Sequence, residues 1–284
     1  MKPLRNLTRK TANSSSVKTT EIVDELSFIE KIKSYTADEL YDLGCTKEEV
    51  SYIMNYDYNQ DLVNLSKKDA TELEKIGYSN KQIEKIKAYD GTTDAIDYAQ
   101  ANSLSNATLS LSYMPYSSSS TSTFGIWWTY EWSSIPIFQG TDIVAFNWVA
   151  STKSSSVISM SYSSVPTAYT NYCYTDNTYY QTVDLQPTYN IGNLYVNIPM
   201  SKNVGSLQLY ARSGGGFISL KTQSGSSNLY SMQILSAYGH STITLAPSVS
   251  FDTSGVSVGI SFAFSMQDLS RSVHTYKYDG TLIN

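Results

Sequence analysis

Phe124 to Trp148 reads FGIWWTYEWSSIPIFQGTDIVAFNW and holds all four tryptophans of the chain. Successive strand residues point to opposite faces. Phe124, Ile126, Trp128, Tyr130 and Trp132 therefore share one face, and Trp127, Thr129 and Glu131 share the other. After a loop from Ser133 to Thr141, Val144, Phe146 and Trp148 again share a face. Two strands with large apolar faces predict neighbours in one sheet or partners across a sandwich. Most of these rings read as core. Trp127 falls on the polar face beside Glu131.

The same period of two continues from about residue 108 to the end. It runs through Leu109, Leu111 and Tyr113, through Leu194, Val196, Ile198 and Met200, and through Val249, Phe251, Val258, Ile260 and Phe262. About ten short strands separated by turn residues predict an antiparallel β-sandwich, jelly-roll or Ig-like. Asp252-Thr253-Ser254-Gly255 reads as a hairpin turn, and so does Gly214-Gly215-Gly216.

Residues 21–98 have a different character. Leu40–Asp57, LYDLGCTKEEVSYIMNYD, is echoed thirty-three positions later by Leu73–Asp90, LEKIGYSNKQIEKIKAYD. Gly44 and Gly77 suit the left-handed residue that ends a helix. Thr36 with Glu39, Thr46 with Glu49 and Ser79 with Gln82 form capping boxes that begin helices. A further helix is expected from about Ile22 to Ser34. The fold class expected is thus α+β. Its parts are a disordered basic and Ser/Thr arm (1–19), a helical module with two helical-hairpin repeats (20–100), a linker (101–107) and a β-sandwich domain (108–284).

Charge divides the chain at the same place. Residues 1–107 carry 14 Lys+Arg and 18 Asp+Glu, against 6 and 7 in the remainder. The net charge of −5 gives no general attraction for nucleic acid. No run of 18 apolar residues suggests a transmembrane helix. Hydroxyls in place of charges on the β-part point to an extracellular or cell-surface setting, with any signal peptide lying outside the sequence. Cys45 and Cys173, one in each part, read as free thiols rather than a disulfide scaffold.

Chemistry-bearing motifs are few. Asp57-x-Asn59-x-Asp61 imitates a calcium loop, but Leu62 and Lys68 stand where Gly and Glu are needed. His240 and His274 have no second ligand at zinc spacing, and no G-x-S-x-G elbow accompanies His240. No metal or cofactor is expected. Glu131 and Asp142, which flank the tryptophans, are the candidate carboxylate pair for glycoside hydrolysis. Pro166–Asn190 contains six tyrosines, so Tyr169, Tyr172, Tyr174, Tyr179 and Tyr180 join Trp127 as candidate binding residues.

Trp128-x-x-x-Trp132, Pro136, Asp142-Ile143-Val144-Ala145 and Trp148, with the L-x-x-[LI]-G-[CY]-[TS] element before them, resemble uncharacterised secreted proteins of Gram-positive bacteria. The resemblance implies export and a β-rich C-terminal part, and it carries no catalytic residue.

The leading functional expectation is a non-catalytic binding or structural protein, with carbohydrate or another protein as partner. A β-pore-forming, membrane-active protein is the second reading, with Val256–Ser265 as the rearranging strand. A hydrolase using Glu131 and Asp142 is the third.

Overall fold

The computed structural model describes residues 16–283, apart from 77, 103, 105, 118–121, 137, 175–177, 206, 224–228, 243–246 and 255–256. Strand β1 (Val17–Asp24) pairs antiparallel with β2 (Asn106–Ser117), with Thr19 opposite Leu111 and Glu21 opposite Leu109. The expected arm and the start of the expected first helix are therefore partly strand. Residues 17–24 alternate in burial and are rich in β-branched residues, and pairing with β2 satisfies their backbone groups where the spacing of Ile22, Leu26 and Ile29 alone would have continued α1 upstream. Residues 1–15 lie outside the described set.

Between β1 and β2 come α1 (Glu25–Lys33), α2 (Ala37–Asp42), α3 (Lys47–Asn55), α4 (Tyr58–Lys67), α5 (Ala70–Ile76), α6 (Asn80–Ala88) and α7 (Ala95–Ala101). The helical part is thus an excursion between two paired strands. Helix α7 ends at Ala101 and β2 begins at Asn106. The three capping boxes form as read, at Thr36/Glu39, Thr46/Glu49 and Ser79/Gln82. Gly44 takes φ +92°, the left-handed conformation that ends α2. Gly77, its counterpart, lies outside the described residues. Asp57 caps α4, and Asn59 accepts from the Tyr89 hydroxyl and the Ala95 N–H. The false calcium motif is the first turn of a helix and its lock onto α7.

The following strands are β3 (Thr123–Trp132), β4 (Thr141–Ser151), β5 (Val157–Ile158), β6 (Met160–Tyr162), β7 (Thr167–Cys173), β8 (Tyr179–Leu185), β9 (Thr188–Asn190), β10 (Asn193–Pro199), β11 (Ser201–Val204) and β12 (Leu207–Thr222). Then come β13 (Ser231–Ser241), β14 (Val249–Ser254), β15 (Ser257–Phe262) and β16 (Met266–Lys277). An eight-stranded antiparallel sheet has the order β1-β2-β3-β12-β7-β8, with β6 and β11 also on β12. A six-stranded sheet has the order β16-β13-β4-β10-β9, with β5 on β4. The molecule is α+β, and antiparallel sheets dominate it.

The tryptophan strands β3 and β4 sit in different sheets and meet through their side chains. Trp128 lies 5.8 Å from Phe146 and Tyr130 lies 5.9 Å from Tyr238, centroid to centroid. Trp128, Tyr130, Trp132, Phe146 and Trp148 are all core. Unlike β3, β4 is buried almost continuously. Its second face is covered by the β14–β15 hairpin, whose Val249, Phe251, Ile260 and Phe262 pack on Ile143, Ala145, Leu235 and Ala237. Buried Asn147 donates from Nδ2 to Asp252 O (2.9 Å) and Gly259 O (2.8 Å), which fastens the hairpin. Asp252, Thr253 and Ser254, expected in the turn, are paired residues of β14, opposite Gly259, Val258 and Ser257.

Gly214-Gly215-Gly216, expected as a turn, lies inside β12. A Cβ on Gly214 would sit 2.5 Å from Tyr130 Cε1, and one on Gly216 would sit 2.8 Å from the Trp128 indole. The two glycines leave the volume that these large rings fill, a reason for strand glycine that outweighs its turn propensity.

Candidate functional site

The outer face of the eight-stranded sheet is built in rows by its register. Trp127 on β3 lies opposite Phe217 on β12, which lies opposite Thr167 on β7. The next row is Thr129, Gly215, Tyr169 and, on β8, Asp184. The third is Glu131, Ser213, Asn171 and Thr182.

Trp127 is 40% exposed and stacks on Phe217 with centroids 4.4 Å apart and planes tilted by 34°. Gly215 carries no side chain, so the middle row dips between Thr129 and Tyr169. The polar row is internally connected. Thr182 Oγ1 donates to Asn171 Oδ1 (2.7 Å), Asn171 Nδ2 donates to Ser213 Oγ (3.0 Å), and the Tyr179 hydroxyl lies 3.1 Å from Thr182 Oγ1. Rows two residues apart along a strand stand about 7 Å apart. The face thus offers an exposed aromatic platform, a shallow dip and an ordered line of hydroxyl, amide and carboxylate groups.

The structure divides the sequence-derived candidates. Trp127, Tyr169 and Glu131 share the outer face, and Tyr179 borders it. Tyr172 points inward, is buried, and donates its hydroxyl to Pro199 O at 2.8 Å. Tyr174 and Tyr180 pack against each other, centroids 5.2 Å apart, and against the edge of the core. Phe217 and Asn171 were not singled out, because only the register brings them beside Trp127 and Tyr169.

Asp142 is somewhere else entirely. It lies on β4 in the six-stranded sheet, fully buried, while Glu131 faces solvent on the other sheet. A carboxylate pair for glycoside hydrolysis needs both groups about the scissile bond, and these two are not brought together. Asp142 instead accepts from His240 Nδ1 (2.9 Å to Oδ1), from the Tyr238 hydroxyl (2.7 Å) and from Ser241 N–H (2.9 Å). His240 Nε2 lies 3.0 Å from Glu25 Oε1, which also accepts from Phe138 N–H at 2.8 Å. Trp132 Nε1 donates to the Tyr238 hydroxyl at 3.0 Å, and its ring lies 5.0 Å from the imidazole.

Glu25, Asp142 and His240 are each 0% exposed. Burial alone would lower the His240 pKa, but Asp142 and then Glu25 outweigh it and raise the pKa from 6.5 to about 10. An imidazolium donating to both carboxylates satisfies every group in a place where an unpaired charge would be costly. Burial and Asp142 push the Tyr238 phenol up, so it stays a donor. The Glu25–His240–Asp142 arrangement joins α1 to β13 and β4. The sequence carried no signal for it, because Glu25 looked like one helix carboxylate among many.

Among the described residues, no cluster of three His, Cys, Asp or Glu side chains is placed to hold a metal, and Cys45 and Cys173 are free and buried. Among the same residues, no helix is long and apolar enough to cross a membrane.

Comparison with known proteins adds little. No family model matches the chain, and no curated protein matches it. Among solved structures, it is similar over 56% of its length to AvmM, which catalyses macrocyclization in alchivemycin A biosynthesis, with 12% identity, 80% of that chain covered and a TM-score of 0.23. It is similar over 47% of its length to the KRT10-binding region domain of the pneumococcal serine-rich repeat protein PsrP, with 9% identity, 76% of that chain covered and a TM-score of 0.20. At these scores neither likeness carries an argument about fold or function.

Proposed function

We propose that this is a non-catalytic binding protein of the extracellular space or cell surface that holds a carbohydrate on the outer face of the eight-stranded sheet. The observation that carries the reading is Trp127, the one tryptophan of four left exposed, stacked on Phe217 above the dip at Gly215. An indole offers a rigid apolar plane with a polar edge at low conformational cost, suited to the C–H face of a pyranose ring. Two rows on, about 14 Å along the strands, Glu131, Ser213 and Asn171 supply acceptors and donors for the hydroxyls of a neighbouring ring of the same saccharide chain. In this reading the two packed sheets are a β-sandwich of the jelly-roll or Ig-like kind. The α2–α3 and α5–α6 pairs are two copies of one hairpin, which the matching capping boxes support.

A glycan array followed by calorimetry on the best ligand tests this. Trp127→Ala is expected to lower affinity at least about tenfold, the scale of losing one aromatic anchor, with the fold retained and the melting temperature slightly lowered by loss of the Phe217 stack. Affinity that survives the substitution, or an array without binding, overturns the proposal.

A further inference from the structure

Among the described residues, one corner of the molecule gathers exposed apolar side chains. It lies where β5 and β6 carry the chain from the six-stranded sheet to the eight-stranded one, at the end of β4 away from the Glu25–His240 joint. Val157 pairs with Ser151 at that end and is 52% exposed. Next along the same edge, Gly192 O accepts from Trp148 N–H, which sets the β9–β10 turn there with Ile191 68% exposed. Tyr162 ties the two sheets together. Its ring is 5.8 Å from Trp148 and 4.6 Å from exposed Tyr189, and its hydroxyl donates to Asn193 O at 2.7 Å. Just beyond Tyr162 the chain leaves the β12 ladder after Ser163 and rejoins it at Thr167, putting Val165 outside at 72% exposed.

Two exposed lysines flank these side chains. Lys153 lies in the β4–β5 turn and Lys221 pairs with Ser161, both exposed. Segments 152–167, 187–193 and 218–223 contain no Asp or Glu, in a chain of net charge −5.

We infer that this corner seats on an anionic phospholipid surface. Val157, Val165 and Ile191 project separately from turns and edges rather than lining a groove, so each can enter the acyl boundary. Tyr189 sits at the headgroup level, where amphipathic rings accumulate. Lys153 and Lys221 meet the lipid phosphates. The six-stranded sheet and the β14–β15 hairpin stay intact in this contact, which is peripheral.

Co-sedimentation with phosphatidylcholine vesicles containing about one-third phosphatidylglycerol tests the inference. The full chain is expected to sediment with these vesicles, less so as salt rises, and to bind pure phosphatidylcholine more weakly. The double substitution Val165→Asp/Ile191→Asp is expected to weaken binding at least about tenfold, and Lys153→Glu/Lys221→Glu to remove the salt dependence. Thermal melting of both variants is expected to match the parent. A dye attached through Val165→Cys gives a second measurement: its emission should shift to the blue on vesicles.

No binding to either vesicle overturns the inference, as does binding by the Asp variant equal to the parent or a dye that stays in water. Vesicle-free self-association abolished by the Asp variant overturns it too, by giving the corner to a second copy of the chain. Trp127 shares the outer face with Lys221 but stands two rows from it and is not one of the projecting residues Val157, Val165 and Ile191. Trp127→Ala should therefore leave vesicle binding unchanged, and Val165→Asp/Ile191→Asp should leave glycan binding unchanged.

Discussion

His240 donates to two carboxylates, one near the start of the chain and one at its middle, and all three groups are buried. Removing the cation while leaving both acids in place is the costly way to break such a cluster. His240→Gln is expected to destabilise the fold by about 3–5 kcal/mol, measured by urea unfolding near neutral pH. The folded imidazole pKa is raised, from 6.5 to about 10. Its stabilisation is therefore fully present below the unfolded value and is lost as pH climbs from about 6.5 towards 10. Urea midpoints compared between about pH 6 and about pH 9.5 should fall in the parent, and by clearly less in His240→Gln. Equal falls in both proteins would show that other groups carry the dependence.

At the scale of the element, β12 shows how a strand uses residues that propensity assigns to turns. Gly214 and Gly216 are held in the sheet by the rings of Tyr130 and Trp128 filling their missing side chains. Gly216→Ala would place a methyl 2.2 Å from Thr167 O and 2.8 Å from the Trp128 ring. It is expected to cost about 1–3 kcal/mol, the usual scale of overpacking, with a shifted tryptophan emission. The wild-type emission with unchanged stability would mean that the ring moves freely. The helix starts were legible where this strand was not. A capping box is a local exchange of hydrogen bonds between residues three apart, and Thr36, Thr46 and Ser79 all announce it. What a glycine accommodates depends on a ring presented by another strand.

For the whole molecule, the main consequence is that the helical module is tied at both ends to adjacent strands, β1 and β2. Its helix α1 is also pinned to the six-stranded sheet through Glu25. Tyr56 on Phe138 (5.6 Å) and Tyr35 on Phe264 (5.4 Å) widen that contact. Glu25→Ala removes the joint but leaves the strand pairing, so it should loosen the module more than the sheets. Hydrogen exchange is expected to speed up in α1 and α3 by about tenfold or more while the central amides of β4 and β13 keep their protection. Uniform acceleration across module and sheets would show that the two unfold as one unit.

Local rules in the sequence settled the periods, the caps and the alternation of β3, because each depends on neighbours a few positions away. They sufficed to separate a helical part from a β-part, to bury Trp128, Tyr130 and Trp132, and to turn Trp127 outward. Only the tertiary structure decided that β1 crosses back to β2 around the helices and that three glycines belong inside a strand. It also separated Asp142 from Glu131 and joined it to His240 and Glu25. The physical reason is common to all of these. Pairing register and the burial of charge are set by groups far apart in the chain, whose meeting no local period records.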